Sequence, residues 1–234
     1  MLYGIRSGRL QHQPPLGQGK AIRSLAGQAI SCRLGGRFLQ MLLVASASQG
    51  QAALDAGALA CPGCLAVLRP WGWTKPRRAR ARDGRIGLTR LRRARCGGCG
   101  VSHVLLPAAW LPRRLDEVDV IGAALLGAGC GAGHRRLADR LDRPEGTVRG
   151  WLRAARQRAG WLHAQLATVG ARLPDHRLDA AVPPPTPLGE AVEAAGRVAS
   201  AYRRHLGTGL LPAWQLLNQL TDGRLLAPAA TAPG

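Results

Sequence analysis

The sequence predicts a mostly α-helical protein with a small β-sheet region that is built around four cysteines. The 234 residues include only six Trp, two Tyr and one Phe, which disfavours the large core of a β-sandwich. Alanine, leucine and glycine dominate instead, and this composition favours small packed helices. Two closely spaced cysteine pairs lie in the middle of the chain, and apolar residues at helical spacing follow them.

The chain is strongly basic, with a formal net charge of +20 from 33 Lys and Arg against 13 Asp and Glu. Nearly all of these cations are arginine, whose planar guanidinium suits phosphate groups and base edges. Nucleic acid is therefore the first candidate partner. Codon bias in a high-GC genome is the alternative source of the arginines, although it does not explain their clustering. No apolar run approaches the ~20 residues that span a bilayer, so we expect no membrane partner.

Residues 1–40 are predicted to be a poorly ordered basic extension, because they combine a QHQPP stretch with several glycines and no acidic residue. Met41 opens a stretch that continues smoothly into the first cysteine pair, so we expect it to be the natural start of the chain. The alternative is a disordered basic arm that contacts DNA. A short helix is predicted at 51–59.

The four clustered cysteines form two CxxC pairs, which in a reducing compartment indicate metal binding rather than disulfides. Glycine at 63, 97 and 98 is expected to supply the tight turn that lets the thiolates of each pair converge on one ion. Four thiolates close a tetrahedral site, which predicts a structural Zn²⁺ and not a catalytic one. The predicted ligands are Cys61, Cys64, Cys96 and Cys99.

Three other residues near this site receive different interpretations. Cys32 and Cys130 stand alone in the sequence and are expected to be free thiols. His103 could replace a thiolate, but four cysteines already complete the site, so we interpret it as a strand residue. Four cysteines without a common function are the alternative to the zinc site.

Strands are predicted on both sides of the second cysteine pair, at 65–73, 86–95 and 101–106. Asp83-Gly84 is a hairpin turn signal between the first two. So small a sheet buries little surface, and the metal is expected to supply much of its folding energy. The arginines of these predicted strands either contact DNA or form a solvated surface. Trp71 and Trp73 could stack on bases, but they are more simply expected to cover the sheet or to pack on the next domain.

Three helices are predicted after the sheet, at about 117–126, 134–141 and 145–168. The first has an apolar face and ends in a glycine-rich stretch at 127–133. The other two are joined by the short turn Asp142-Arg143-Pro144, where Pro144 suits the start of a helix and Glu145 suits the positive end of its dipole. Small Ala138 stands where two helices must approach closely. This pattern predicts a helix-turn-helix.

The polar face of the third helix is basic, and in helix-turn-helix proteins the N-terminal part of this helix enters the major groove of DNA. The second helix crosses the backbone, so its first arginines are expected to contact phosphates. An ordinary helical hairpin with a solvated arginine face is the alternative. The predicted DNA-binding residues are Arg135, Arg136, Thr147, Arg149, Arg153 and Arg156.

The stretch from Cys61 to about Arg158 resembles a family of zinc-ribbon plus helix-turn-helix proteins of high-GC bacteria, which is classified as a domain of unknown function. The resemblance is carried by CPGC, LRPWGW, RRARCGGCGVSHVLLP, VIGAALLGAG and GHRRLADRLDRPEGTVRGWLR. The ribbon and helix-turn-helix together are also similar to the N-terminal part of some insertion-sequence transposases. The resemblance implies zinc on the four cysteines and DNA on residues 134–156. Arg143 departs from the pattern, because an apolar residue usually stands there.

The domain organisation follows from these elements, together with a proline-rich stretch and two more helices at about 188–206 and 212–220. The apolar positions of the last helix could form a homodimer face, but packing against 188–206 is favoured. The predicted segments are the extension at 1–40, a zinc ribbon at 41–110, a helix-turn-helix domain at 113–170, a stiff linker at 171–187 and a C-terminal helical hairpin at 188–226.

The predicted function is sequence-specific binding of double-stranded DNA by a cytoplasmic, nucleoid-associated protein, either a transcriptional regulator or an accessory protein of a mobile element. No small-molecule substrate and no catalytic activity are expected, because the segment after residue 160 has too few carboxylates and strands for a nuclease fold. A truncated or remnant transposase is one alternative. A zinc-ribbon module that binds other proteins is the second.

Overall fold

The computed structural model of the protein describes residues 30–34, 37–173, 184–206 and 211–227. Seven strands come first within these ranges, interrupted by one short helix, and five further helices follow. The structure therefore confirms a largely helical chain with a small β-sheet region, and the four cysteines lie in that region. The predicted linker residues 174–183 lie outside the described residues.

The β-region consists of a five-stranded sheet in the order β1-β2-β7-β6-β3 and a separate two-stranded hairpin of β4 and β5. Strands β2 and β7 run parallel, and the other neighbouring pairs run antiparallel. The strands are β1 (Ile30–Leu34), β2 (Arg37–Val44), β3 (Leu68–Trp73), β4 (Arg77–Arg80), β5 (Ile86–Thr89), β6 (Arg92–Cys96) and β7 (Ser102–Pro107).

The N-terminal part of the sheet differs from the poor order that the sequence predicts up to residue 40, since β1 and the first half of β2 fall within that segment. The reason is the pairing of β2 with β7, whose register begins at Gln40 and His103. Met41, Leu42 and Val44 are buried there. Strand β2 thus uses a mostly apolar run as a buried strand between two neighbours. Residues 1–29 lie outside the described residues.

The helices agree closely with prediction after residue 113 and less well before it. Helix α1 begins earlier than predicted, because the Ser46 hydroxyl caps it by accepting a hydrogen bond from the Gln49 backbone N–H at 3.1 Å. The helices are α1 (Ala47–Asp55), α2 (Val118–Gly129), α3 (His134–Leu141), α4 (Glu145–Gly170), α5 (Pro187–Leu206) and α6 (Ala213–Leu220).

Helix α2 continues past Gly127, where the sequence predicts its end. A Cβ on Gly127 would lie 2.4 Å from Cδ2 of Leu137, so the glycine allows α3 to pack directly against α2. Gly122 has the same role on another face, since a Cβ there would lie 2.1 Å from the ring of Trp214. Both glycines mark close contacts of α2 rather than a helix end.

The helices α2 to α6 share one hydrophobic core, in which Trp151, Leu166, Val198 and Leu217 are all buried. The C-terminal helices therefore pack on the predicted helix-turn-helix region instead of forming a separate segment. Asn218 of α6 is fully buried, and its amide donates to the carbonyl of Ala108 at 2.8 Å, beside the end of the sheet. No helix in the described ranges is long and apolar enough to cross a membrane.

Candidate metal centre and basic helix surface

The four predicted ligands Cys61, Cys64, Cys96 and Cys99 lie together, with all four sulfur atoms within 4.8 Å of one another. The sulfur atoms of Cys61 and Cys99 are 3.7 Å apart, and those of Cys64 and Cys96 are 3.3 Å apart. A tetrahedral Zn²⁺ with bonds of about 2.3 Å places its sulfurs about 3.8 Å apart, so the cluster has the size that zinc requires. Four thiol donors without a carboxylate also suit zinc better than a hard cation.

The two cysteine turns have the same backbone conformation. Leu65 and Gly100, each the residue after the second cysteine of its pair, have φ angles of +61° and +71°. Each donates its backbone N–H to the carbonyl of the first cysteine, at 2.8 and 3.2 Å. The positive φ angles thus lie one residue after each pair, and not at the glycines 63, 97 and 98 where the sequence placed them.

The glycine at position 98 is needed for space instead. A Cβ there would lie 3.0 Å from Cβ of Ala66, so the missing side chain lets the two turns approach each other. The backbone N–H groups of Gly98 and Cys99 point at the sulfur of Cys96 from 3.3 and 3.4 Å. The N–H of Cys99 contributes most to lowering the pKa of Cys96, to about 6, which favours the thiolate that a metal binds.

His103 lies on strand β7, as predicted, and is fully buried. Its Nε2 is 3.5 Å from the sulfur of Cys61, which makes it a neighbour of the cysteine cluster. Burial lowers the pKa of its imidazole and thus favours the neutral ring. Cys130, predicted to be a free thiol, is exposed and lies outside the cluster. The side chain of Cys32 falls outside the described residues.

Two tryptophans of strand β3 lie on the surface and do not pack on the helical core. Trp71 and Trp73 are 49 % and 52 % exposed. The guanidinium groups of Arg95 and Arg92, on the neighbouring strand β6, lie 4.7 and 4.9 Å from the centres of the two rings. Each exposed tryptophan therefore makes a cation–π contact with an arginine of β6.

The predicted turn between α3 and α4 is present and contains the three residues Asp142, Arg143 and Pro144. Asp142 ends α3 in the left-handed conformation, with φ of +49°, and this reverses the chain tightly. Ala138 is buried between the helices, as predicted from its size. On α4, Val148 and Trp151 face the same core.

The predicted DNA-binding residues lie on the outer surface of this helix pair. All five arginines of the set are exposed, and Thr147 is partly buried. The starts of the two helices are close together, because Glu145 accepts a hydrogen bond from His134 at 2.9 Å and lies 3.6 Å from Arg135. The bond with His134 is the main reason that the pKa of Glu145 is lowered. Glu145 is the only acid in α4, and these contacts partly neutralise it.

Arg143 is the residue whose role sequence reasoning missed. Its side chain is buried, and Nε donates to Oδ1 of Asp116 at 2.7 Å. Nη1 donates to the carbonyls of Leu141 and Asp142 at 3.0 and 2.8 Å, and Nη2 donates to the carbonyl of Ala81 at 3.1 Å. An arginine in place of the usual apolar residue was the available signal, but two of its partners, Asp116 and Ala81, lie far away in the sequence.

Comparison with known protein families gives one match. Residues 61–151 match the model of a domain of unknown function (DUF6431), which includes all four clustered cysteines and the start of α4. The match confirms the expected resemblance to a domain of this kind, and that domain has no assigned function. No curated protein and no solved structure matches the chain.

Proposed function

We propose that the protein binds double-stranded DNA, with α3, its turn and α4 acting as a helix-turn-helix. The observation that carries this proposal is the arginine face at the start of α4, where Arg149 and Arg153 are exposed while the residues just before them, Val148 and Leu152, are buried. In such motifs the second helix lies in the major groove and arginine reads guanine through two hydrogen bonds. The three-residue turn and the adjacent N-termini of the two helices fit this docking.

The cysteine cluster supports the same proposal as a structural zinc site. Zinc on four thiolates leaves no open coordination position for a substrate, so its role is to hold the sheet together. Cys61 and Cys96 belong to the small core of the sheet, together with Leu54, Leu68 and Leu105. The ion would complete a core that is too small to be stable without it.

The test is a comparison of DNA binding by the wild type and by the double variant Arg149→Ala, Arg153→Ala. The target is a duplex selected from a random pool by the wild-type protein, and fluorescence anisotropy gives the Kd. We expect affinity to fall at least tenfold, because a bidentate arginine–guanine contact is worth about 1–3 kcal/mol. Arg203→Ala, Arg204→Ala is the matched control, since these arginines are exposed at the far end of α5.

Equal affinity of the double variant and the wild type would contradict the proposal. It would favour the alternative hypothesis that the sheet region and the C-terminal helices bind another protein. A remnant of a transposase remains compatible with DNA binding by this surface. The lack of catalysis stays a prediction, and metal-dependent cleavage of the selected duplex would show it to be wrong.

A second prediction concerns Gly150, which lies between the two arginines on the outer face of α4. An added Cβ would meet nothing there, and nothing at Gly160 further along the same face. Gly150→Ala and Gly160→Ala should therefore each stabilise the protein by about 0.5–1 kcal/mol, because alanine favours helix. If α4 approaches DNA closely at its start, only Gly150→Ala should weaken binding.

Thermal unfolding and anisotropy on both variants check this pair. The stability gain is expected in both proteins and serves as evidence that each is folded. A Kd for Gly150→Ala that equals the Kd for Gly160→Ala would mean that the start of α4 does not come within van der Waals contact of the DNA.

A further inference from the structure

The β4–β5 hairpin is a strongly basic element that is attached to the turn between α3 and α4. It forms a two-stranded unit outside the main sheet, with Arg77 opposite Thr89 and Arg80 opposite Ile86. Its loop is closed by a hydrogen bond from the Ala81 N–H to the Arg85 carbonyl at 3.0 Å. The exposed cations of the hairpin and its flanks are Lys75, Arg78, Arg82, Arg85 and Arg90.

The hairpin is fixed to the segment that leads into α2. The backbone N–H of Arg80 donates to the carbonyl of Leu115 at 2.8 Å, and the N–H of Glu117 donates to the carbonyl of Arg80 at 3.3 Å. Arg77 adds a side-chain bond to the carbonyl of Arg114 at 2.6 Å. The two backbone bonds form a single parallel bridge between Arg80 and Asp116, which holds β4 beside the start of the helical core.

The hairpin loop also contacts the turn of the proposed DNA-binding motif. A Cβ on Gly84 would lie 3.8 Å from Nη1 of Arg143 and 4.0 Å from Oδ2 of Asp142. Arg143 itself binds the carbonyl of Ala81 at the start of the loop. The loop is therefore held beside the three residues that immediately precede α4.

Acidic groups oppose only part of the charge of this hairpin, since Arg80 lies 3.8 Å from Asp116 and Glu117 interacts with Arg82. Asp83 is its single acid, and the carboxylate pairs with Arg85 at 2.7 Å on the surface. No described salt bridge involves Arg78 or Arg82, and both are exposed, with Glu117 as an acidic neighbour of Arg82. Holding several exposed cations at a fixed place costs self-repulsion, and a polyanion relieves it.

We propose that the β4–β5 hairpin is a second DNA-contacting element, which grips phosphates next to the groove that α4 enters. The contact is to the backbone, so it adds affinity and register without reading sequence. The fixed attachment of its loop beside the start of α4 lets both elements engage one duplex together. This inference rests on the proposed function. It assigns DNA as the partner of the β4–β5 hairpin, which contains none of the four clustered cysteines.

The test is the double variant Arg78→Gln, Arg82→Gln in the full-length, zinc-loaded protein. Its affinity for the selected duplex is measured by anisotropy over a range of salt concentrations. Each lost phosphate contact lowers the slope of log K against log salt by about 0.9, so we expect a change of almost 2. At about 0.1 M salt this corresponds to a roughly 10- to 100-fold loss that is similar for specific and random sequences.

Hydroxyl-radical footprinting adds a readout that depends on position. The wild type should protect the site of α4 and, to one side of it, additional sugars that the double variant leaves unprotected. The control Arg203→Ala, Arg204→Ala removes the same charge at a distant place and should keep both the footprint and the slope.

The outcomes separate the two proposals. If the wild type binds no duplex, the proposed function fails and the hairpin has no DNA to contact. If the wild type binds and Arg149→Ala, Arg153→Ala does not, but the hairpin variant matches the control in slope and footprint, the hairpin inference alone is overturned.

Discussion

Loss of the proposed zinc ion is expected to unfold the sheet region while most of the helical structure remains. The reason is that the chain has separate cores. Cys61 and Cys96 are part of the small sheet core, whereas the core of α2 to α6 contains none of the four clustered cysteines. Structural zinc supplies about 10–16 kcal/mol of apparent binding energy in small zinc-finger peptides, which is more than a core of this size can replace.

The measurement is zinc content by elemental analysis together with circular dichroism and limited proteolysis. The wild type should contain one zinc per chain. Chelation, or the substitution Cys96→Ser, should remove it and expose the chain between 61 and 106 to protease, while most of the helical signal persists. Cys130→Ser is the matched control, because Cys130 is exposed and outside the cluster. A metal-free protein that still resists protease in this region would contradict the prediction.

Local patterns were sufficient to predict the helices after residue 113 and the cysteine cluster. Helix α3 begins at His134 and ends at Leu141, as predicted, because its apolar residues recur at helical spacing and a tight turn follows it. The cysteine pairs could be found for a similar reason, since each places its two sulfurs through a short backbone turn. These features depend on residues that are close in sequence.

Features that depend on distant residues could not be predicted. The pairing of β2 with β7 joins residues about sixty positions apart, and an apolar run gives no indication of its partner strand. The role of Gly122 is not visible in the local sequence, because the residue that it contacts, Trp214, lies far along the chain. The packing of α5 on α4 and of α6 on α2 was missed because the proline-rich segment indicated a separate unit.

The contacts of Arg143, in the turn of the proposed DNA-binding motif, could likewise not be predicted from nearby residues. Replacing Arg143 should strongly lower the free energy of unfolding. The Arg143 and Asp116 side chains are 2 % and 3 % exposed, and their ion pair is shielded from water. Removing Arg143 leaves the buried carboxylate of Asp116 with Arg80, 3.8 Å away, as its remaining cation, and breaking a buried pair typically costs about 3–5 kcal/mol. We therefore expect Arg143→Met to lower the free energy of unfolding by this amount, as measured by urea denaturation.

Arg140→Ala is the control, because Arg140 is exposed in the last turn of α3 and makes none of these contacts. The double variant Asp116→Leu, Arg143→Met tests the cause, since replacing both charges by apolar residues removes the uncompensated carboxylate. It should be less destabilised than the sum of the two single variants. Additive losses would mean that the bonds from Arg143 to backbone carbonyls, and not the ion pair, carry the effect.

Amide hydrogen exchange then shows what the buried pair does for the hairpin. Arg143 is the side chain that joins the carbonyl of Ala81, at the hairpin loop, to Asp116 before α2. In the double variant, the amides of the β4–β5 hairpin should exchange faster, while those of α3 and α4 keep their protection. A buried ion pair contributes little net stability compared with apolar packing, so fixing the position of a basic hairpin beside α4 would explain why a charge stands in this turn. Unchanged exchange in the hairpin would show that the backbone bonds of Arg80 hold it without Arg143.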